Sequence, residues 1–594
     1  MARLLYAVAA SVAFCAQGAG VPALAAEPRA TIDGKLDPEL KAAIATAIGQ
    51  TDRPIENRFE ARRRATKAAE DAIAVLRSEA YYAYDVQPDV GEGDAPAAVV
   101  HVTPGARFKL AQPRIEWVGE APDAAAQAAA TGALALHEGS PARAADVVGA
   151  EGRAVAAVQK RGYADVATQP REVVVDHADL SVQPTYRIAA GRIARLDGIQ
   201  LTTDGRTRKA WLDHLAPWKS GEPYDPEDVA ELERRLLDTG VYESVTVGLA
   251  PADKLTAEGL RPVVVSLAER KRRTMELGAS YATTEGAGVD AKFTHYNVFG
   301  RADTLALVLR ASTIDNRAGV NLSFPHWRRP QQTLTMSTAV YKTLTDAYDE
   351  RGVGVRADVQ RRYGKTSYVT VGASLDLSRT DELKIGVLTP LGRDLITLGA
   401  LADVVLDRAD DPLNPTRGWK VSARAEPTLL SGGRTVPYLK IQAQGSYYLA
   451  LDHEARTVIA GRLHLGSIIN GTVSQIAAPR RFYAGGGGSV RGFGYQDVGP
   501  RLADGTPQGG LSLVEASAEV RREITHRWGV AAFVDVGSIG SDRAPGFQNM
   551  SVGAGLGARY NLGFAPIRVD VAVPVSQRNG AAPYQIYISI GQAF

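Results

Sequence analysis

The sequence predicts an α+β N-terminal half made of repeated small modules, followed by a sixteen-stranded antiparallel transmembrane β-barrel. Two observations support this prediction. Residues 27–270 mix helical and strand patterns in an order that recurs about every 80 residues, as in an array of similar modules. From residue 274 onward, short segments of alternating polarity are separated by turns, which is typical of membrane-barrel strands.

Composition narrows the classes of protein that the chain can belong to. With 594 residues, the chain is too long for one ordinary domain. Its 68 basic residues nearly balance its 66 acidic ones, so no basic excess indicates a nucleic-acid partner. The 59 glycines fit a chain with many strands and turns.

Residues 1–25 have the pattern of a secretory signal peptide. Arg3 precedes the apolar run Leu4–Phe14, and Ala23-Leu24-Ala25 is a small-residue cleavage site. Because Cys15 is the only cysteine, the mature chain is predicted to contain no disulfide and no thiolate metal site. After residue 25, no apolar run reaches the roughly 18 residues that a membrane helix needs. We therefore expect an exported protein.

Each predicted N-terminal module consists of one strand, two helices and two further strands. The second module shows this best, with Ile115–Val118, the helix Ala142–Gln159 and the strand Val173–Val175. The first module matches least well because it has no clear opening strand, so the array contains three modules or two plus a divergent one. The predicted boundaries are 26–110, 111–190 and 191–270, with the barrel over 271–594.

The barrel prediction comes from segments such as Tyr368–Leu377, where apolar and polar residues alternate strictly. A soluble β-sandwich is the alternative. Against it, the polar faces carry the small and hydroxylated residues of a water-filled lumen, and the last strand is apolar and extends to Phe594. The sixteen strands are predicted to begin near residues 274, 287, 303, 317, 332, 350, 365, 394, 416, 435, 455, 511, 528, 549, 565 and 584.

Strand parity predicts the orientation of the barrel. If the N-terminal modules lie in the periplasm, strand 1 runs outward and the turns after even-numbered strands are periplasmic. Trp327, Trp419 and Trp528 then fall near this rim, where aromatic residues favour the membrane interface. The long connection between strands 11 and 12 lies at the outer end.

This connection contains the glycine-rich segment Arg480–Tyr495. Four glycines, Gly485–Gly488, precede an arginine, Arg491, that stands between Val490 and Gly492. Glycine allows tight backbone paths, and an arginine held in such a loop needs a fixed carboxylate partner. A flexible surface loop is the alternative interpretation.

The strands that follow this loop carry carboxylates on their predicted lumenal face. Alternation directs Glu515 and Glu519 of strand 12 and Asp535 of strand 13 inward. If the loop folds into the barrel, Arg491 can pair with Glu519 and Asp535. The alternative is that these carboxylates only solvate a pore wall, as in a porin.

No enzymatic motif is present in the sequence. The nine histidines are scattered without an H-E-x-x-H pattern, and no G-x-S-x-G elbow occurs. The run Gly485–Gly488 is not followed by the Lys-Ser/Thr of a phosphate-binding loop. We therefore predict no catalytic residue, no cofactor and no metal site.

Three motifs together resemble those of the BamA/TamA superfamily of outer-membrane assembly factors. Val490-Arg491-Gly492-Phe493 is similar to its loop-six V-R-G-F/Y motif, and Phe533–Gly537 to its F-x-D-x-G strand motif. Glu519, within Ser517–Val520, matches the acidic position of the preceding strand. The resemblance implies that loop six folds into the lumen, that Arg491 pairs with Glu519 and Asp535, and that the N-terminal modules are periplasmic POTRA domains. Three such modules in under 600 residues most resemble the TamA branch.

The resemblance also implies a function without chemistry. Members of this family insert β-barrel proteins, including autotransporters, into the outer membrane, which implies unfolded clients, outer-membrane lipid and a TamB-like periplasm-spanning partner. POTRA sheet edges would bind by β-augmentation. The seam between strand 1, with Gly278, and the last strand, with Gly591 and Phe594, would be weakly paired, since glycine weakens strands. The alternatives are a two-partner-secretion-type transporter that passes an exoprotein through the lumen, and a passive porin.

Overall fold

A computed structural model describes residues 27–51, 53–91, 96–283, 286–364, 366–382, 391–563, 565–576 and 582–594. The predicted signal peptide, residues 1–25, lies outside the described residues. In the described ranges, no helix is both long and apolar enough to cross a membrane.

The chain forms two compact units. The first unit extends to Asp197 and includes residues 218–229 and 249–262. The second unit contains residues 198–217, 230–248 and 263–594, and therefore the whole barrel.

The N-terminal half contains short strands and six helices in its described part. The strands are β1 (Glu27–Pro28), β2 (Thr31–Asp33), β3 (Gln50–Thr51), β4 (Asp85–Val90), β5 (Ala98–Thr103), β6 (Lys109–Leu110), β7 (Arg114–Trp117), β8 (Ala167–Asp176), β9 (Ser181–Ala189), β10 (Leu196–Leu201), β11 (Tyr242–Leu249) and β12 (Arg261–Glu269). The helices are α1 (Pro38–Ile48), α2 (Arg58–Ser78), α3 (Ala124–Ala133), α4 (Ala144–Gln159), α5 (Lys209–Asp213) and α6 (Pro226–Leu237).

The same sheet order occurs three times along this half. The orders are β2-β5-β4, β7-β9-β8 and β10-β12-β11, so the last strand of each set lies in the middle. The second sheet also contains β6, a two-residue strand that pairs in parallel with β9. The opening strand that the sequence pattern lacked is present: β2 pairs in parallel with β5, with Thr31 opposite Val99. It was missed because three residues are too few to show an alternation.

Capping and periodicity explain the first helix. The side chain of Asp37 accepts a hydrogen bond from the Glu39 N–H and so caps α1. Leu40, Ile44 and Ile48 follow at a spacing of four residues and are buried against the sheet. The small module core therefore follows from local sequence features.

The barrel is closed by sixteen antiparallel strands in chain order, which confirms the predicted number. Each observed strand begins within three residues of its predicted start. The strands are β13 (Arg273–Ala282), β14 (Gly286–Tyr296), β15 (Thr304–Ser312), β16 (Asp315–Phe324), β17 (Gln332–Leu344), β18 (Tyr348–Tyr363), β19 (Ser367–Glu382), β20 (Leu391–Asp407), β21 (Gly418–Ser431), β22 (Thr435–Ala450), β23 (Thr457–Ile469), β24 (Ser512–Glu523), β25 (Trp528–Gly540), β26 (Ser551–Asn561), β27 (Pro566–Pro574) and β28 (Gln585–Ile590).

The outer wall of the barrel carries large apolar side chains at alternate positions. Val371, Leu375 and Leu377 of β19 are exposed, whereas Asp376 between them faces the lumen and binds Tyr341. An exposed apolar band of this kind is stable only against lipid. The alternation therefore gives the lipid-facing and lumenal surfaces that were predicted.

The start of β13 is anchored by a hydrogen-bonded cluster within the second unit. Glu269 accepts hydrogen bonds from Arg206 Nε at 2.6 Å, Thr207 Oγ1 at 2.9 Å and Asn297 Nδ2 at 3.0 Å. Burial raises the pKa of Glu269, but the hydrogen bonds from Arg206 and Thr207 outweigh it and hold this pKa below its ordinary value. Asn297 lies directly after β14, in the turn between β14 and β15, so this cluster holds both ends of the base of the β13–β14 hairpin.

Candidate functional site: the lumenal loop and the barrel seam

The connection between β23 and β24 lies inside the barrel. Val490 and Phe493 are fully buried and belong to an apolar cluster that includes Leu513 and Ile539 of the barrel wall. Burial of these two side chains, which flank Arg491 and Gly492, holds the motif against β24 and β25.

Arg491 meets three lumenal carboxylates. Its Nε and Nη2 lie 2.7 and 3.0 Å from the two oxygens of Asp535, a bidentate pair. Its Nη1 lies 3.0 Å from Glu519 Oε2 and 3.0 Å from Asp570 Oδ2. The guanidinium carbon also lies 3.3 Å from the ring centroid of Phe533. Arg491 is only 1% exposed, so its charge depends on these partners.

Asp570 was missed by the sequence analysis. It lies on β27, where Val569, Val571 and Val573 face outward and Arg568 and Asp570 face inward. The alternation could have identified Asp570 as lumenal. It could not have placed it beside Arg491, because strand spacing along the chain does not give the stagger of a closed barrel.

Two of the three carboxylates also bind other buried arginines. Glu519 binds Arg521 at 2.9 Å and Arg559 at 3.3 Å, and Asp570 binds Arg559 at 2.6 Å. Asp535 differs from the other two, because its only ion pair in the described part of the chain is with Arg491. Buried charges are costly unless they are paired, so this network fixes the loop in one position.

The backbone at Gly492 is in a conformation that favours glycine. Its φ is 99°, and a Cβ at this position would lie 2.7 Å from the carbonyl oxygen of Val573. Its N–H donates to the Tyr587 hydroxyl at 3.1 Å. The motif therefore needs glycine here to bring Arg491 against the wall.

A second anchor fixes the entrance of the loop to another part of the wall. Arg480 Nη2 lies 3.0 Å from Glu350 of β18 and 2.8 Å from Asp376 of β19. Tyr341 also donates to Asp376, at 2.8 Å. No role for Arg480 is predicted from the sequence, because nothing in its neighbourhood marks it as lumenal. The loop is therefore tied to two separate groups of strands.

Replacement of Arg480 by alanine is expected to loosen the loop at its entrance. The change leaves Glu350 and Asp376 without their cation beside a lumenal cavity of about 620 Å³, and it should lower the free energy of unfolding by about 2–3 kcal/mol. The urea midpoint of the purified protein, read by heat-modifiable electrophoresis, measures this loss. Arg434→Ala is the matched control, because Arg434 is exposed and has no ion pair in the described ranges. Equal midpoints for the two variants would contradict the role of Arg480.

The seam between the first and last strands is the least paired junction of the barrel. β13 and β28 share two register pairs, Tyr281 with Ile588 and Ala282 with Tyr587. The other neighbouring strands share between six and sixteen register pairs. Arg273–Ser280 of β13 are not paired with β28 in the described structure.

The expectation that the last strand continues to Phe594 is wrong. β28 ends at Ile590, and Gly591 has a φ of 88°, which turns the chain away from the sheet. Phe594 lies inside the barrel, with its ring centroid 5.6 Å from the guanidinium carbons of Arg462 and Arg521.

Gly278 has no positive φ, and a Cβ there would come only to 3.7 Å from Asp290. Sterically, the first strand therefore tolerates a larger residue at Gly278.

Comparison with known protein families assigns this architecture to a superfamily. The model of the Omp85 superfamily domain matches residues 297–594, half of the chain. The chain belongs to the Omp85 superfamily. The resemblance that the motifs indicated is thus confirmed at the level of the superfamily.

Two curated relatives are outer membrane protein assembly factors BamA. That of Neisseria meningitidis serogroup B is 22% identical over 392 residues, covering 60% of this chain and 47% of the relative. That of Neorickettsia risticii is 22% identical over 419 residues, covering 67% of this chain and 55% of the relative. The chain spans about half the length of the curated relatives that it matches.

Among solved structures, the chain is similar to BamA from Haemophilus ducreyi lacking POTRA domains 1–3. The TM-score is 0.67 at 17% identity, covering 82% of this chain and all of that one. This likeness shows a shared fold. The family and these relatives together identify the chain as an outer-membrane β-barrel protein with POTRA-like modules in its N-terminal half.

Proposed function

We propose that this Omp85 protein assembles β-barrel proteins, including autotransporters, and inserts them into the outer membrane. The observation that carries the proposal is the seam, where, among the residues that the structure describes, most of the β13 edge has no partner on β28. Unpaired backbone groups are costly in lipid and are a template for another strand. A client strand can satisfy them, and no covalent bond is made or broken. The function therefore requires no catalytic residue and no cofactor.

We further propose that residues 26–110, 111–190 and 191–270 are three POTRA domains that bind partners by β-augmentation. In each sheet order the second strand of the module lies at an edge, as β4, β8 and β11 do. β8 supports this use best: it is ten residues long, and Val173 and Val174 are exposed on it. β4 suits it less, because it is six residues long and contains Pro88, whereas the segment Glu172–Asp176 of β8 follows Pro170 and contains no proline.

Three POTRA domains support placement in the TamA branch, with a TamB-like periplasm-spanning protein as partner. A pull-down from outer membranes tests this placement. We expect a TamB-like protein to co-purify. Recovery of the lipoproteins of the general assembly complex instead would favour the BamA branch.

A disulfide across the seam tests the function. The variant Tyr281→Cys/Ile588→Cys joins residues that are register partners on the lipid-facing side. Oxidation is expected to stop client assembly, and a reductant to restore it. The control pair, Ala318→Cys/Val340→Cys, bridges β16 and β17 and should have no effect.

Continued client assembly with an oxidised seam would overturn the proposed function. Continued export of one exoprotein under the same conditions would instead favour the two-partner-secretion-type transporter, since that route uses the lumen. A passive porin would show large, steady conductance in both the oxidised and the reduced protein.

A further inference from the structure

The loop motif is bonded directly to the last strand of the barrel. The Tyr587 hydroxyl of β28 accepts the Gly492 N–H at 3.1 Å and donates to the Phe493 carbonyl at 3.3 Å. Tyr587 is 2% exposed, and its ring packs so closely on Gly487 that a Cβ there would lie 2.8 Å from it. Two adjacent backbone groups of the motif therefore hold one side chain of the seam strand.

A second tie lies just beyond the end of β28. The Gln592 side chain accepts from Arg559 Nε at 3.1 Å and donates to Asn414 Oδ1 at 2.9 Å, and its N–H donates to the Leu413 carbonyl at 3.2 Å. Arg559 is also a partner of Glu519 and Asp570, the carboxylates that bind Arg491. The segment after Gly591 is thus connected to the Arg491 network.

The two strands of the seam are held in different ways. β13 is anchored at its start by the Glu269 cluster and along its length by β14. β28 has six register pairs with β27 but two with β13. Its contacts with the lumenal loop and with Arg559 therefore form a large part of what positions it. A cavity of about 260 Å³ on the inner side of the seam, lined by Gly487, Arg568 and Tyr587, leaves room for β28 to shift.

We propose that Tyr587 and Gln592 are positioning residues that latch the last strand to the lumenal loop, so that the Arg491 anchor controls how the seam is paired. The inference rests on the proposed function for its biological meaning but not for its test. Loss of the latch lets β28 leave the position in which Ile588 faces Tyr281. The Arg491 network then acts at the seam through Gly492 and Tyr587 and through Arg559 and Gln592.

The test measures the rate of disulfide formation between Tyr281→Cys and Ile588→Cys in purified full-length protein in lipid vesicles without client. Tyr587→Phe removes the hydroxyl group and with it the hydrogen bonds to Gly492 and Phe493. We expect the rate to fall about tenfold in this variant, because the two lost hydrogen bonds together have a net contribution of about that factor, and to fall further when Gln592→Ala is added. Tyr584→Phe is the control, because Tyr584 is exposed and lies outside β28.

The Ala318→Cys/Val340→Cys pair separates a seam effect from general loosening. Its disulfide rate should stay the same in every latch variant, and a parallel fall at both positions would overturn the latch. The latch would also be overturned if disulfide formation at the seam were unchanged or faster in the Tyr587→Phe/Gln592→Ala variant. If disulfide formation at the seam slowed tenfold while client assembly stayed normal, the result would support the latch and contradict the proposed function.

Discussion

Arg491→Ala is expected to lower the free energy of unfolding of the barrel by about 3–5 kcal/mol, the largest effect of any single change proposed. The change removes a buried cation from among three buried carboxylates. Glu519 and Asp570 keep other arginine partners, but Asp535 loses its only ion pair in the described part of the chain. The urea midpoint of the purified protein measures the loss.

Two further variants identify the cause of this loss. Arg491→Lys keeps the charge but not the bidentate geometry, so its stability should lie between those of the wild-type protein and Arg491→Ala. Asp535→Asn should restore part of the stability of Arg491→Ala, because it removes the uncompensated charge. A double variant less stable than Arg491→Ala would show that charge burial is not the reason. If Arg491→Ala had the same urea midpoint as the wild-type protein, the claim that the ion pairs of Arg491 stabilise the barrel would be wrong.

Gly492→Ala is expected to cause the second largest loss, about 2–4 kcal/mol, through strain rather than charge. The side chain would have to adopt a φ of 99° with its Cβ 2.7 Å from the Val573 carbonyl oxygen. Since that oxygen belongs to a barrel strand, the loop must move instead, and Arg491 is displaced from Asp535.

The same loop offers a matched control for this prediction. A Cβ at Gly488 would meet no atom within 4 Å, and Gly488 has no positive φ. Gly488→Ala should therefore change the unfolding free energy by less than about 0.5 kcal/mol. Equal urea midpoints for the two alanine variants would show that the backbone at Gly492 is not under constraint.

How far the site could be predicted differs from residue to residue. The side of the wall on which Glu519 and Asp535 lie follows from alternation alone, because successive side chains in a strand point to opposite faces. Their pairing with Arg491 was one of two alternatives open from the residues alone, and the family resemblance favoured it by implying that the loop folds inward. Asp570 lies as clearly on the lumenal face, yet its place beside Arg491 depends on how β27 is staggered against β25. The role of Arg480 is harder still to predict from the sequence, since its partner Glu350 lies 130 residues away along the chain.

The sequence by itself determined the number of barrel strands, which of their faces meets lipid and where the long loop lies, since these depend on a two-residue period that each strand carries locally. Only the tertiary structure decided that β28 ends at Ile590, that Gly591 turns the following segment inward, and that Tyr587 meets the loop motif. Those features depend on closing the barrel and on the path of a loop held by ion pairs between distant strands. Local periodicity contains no information about either, because pairing register and loop path are set by long-range contacts.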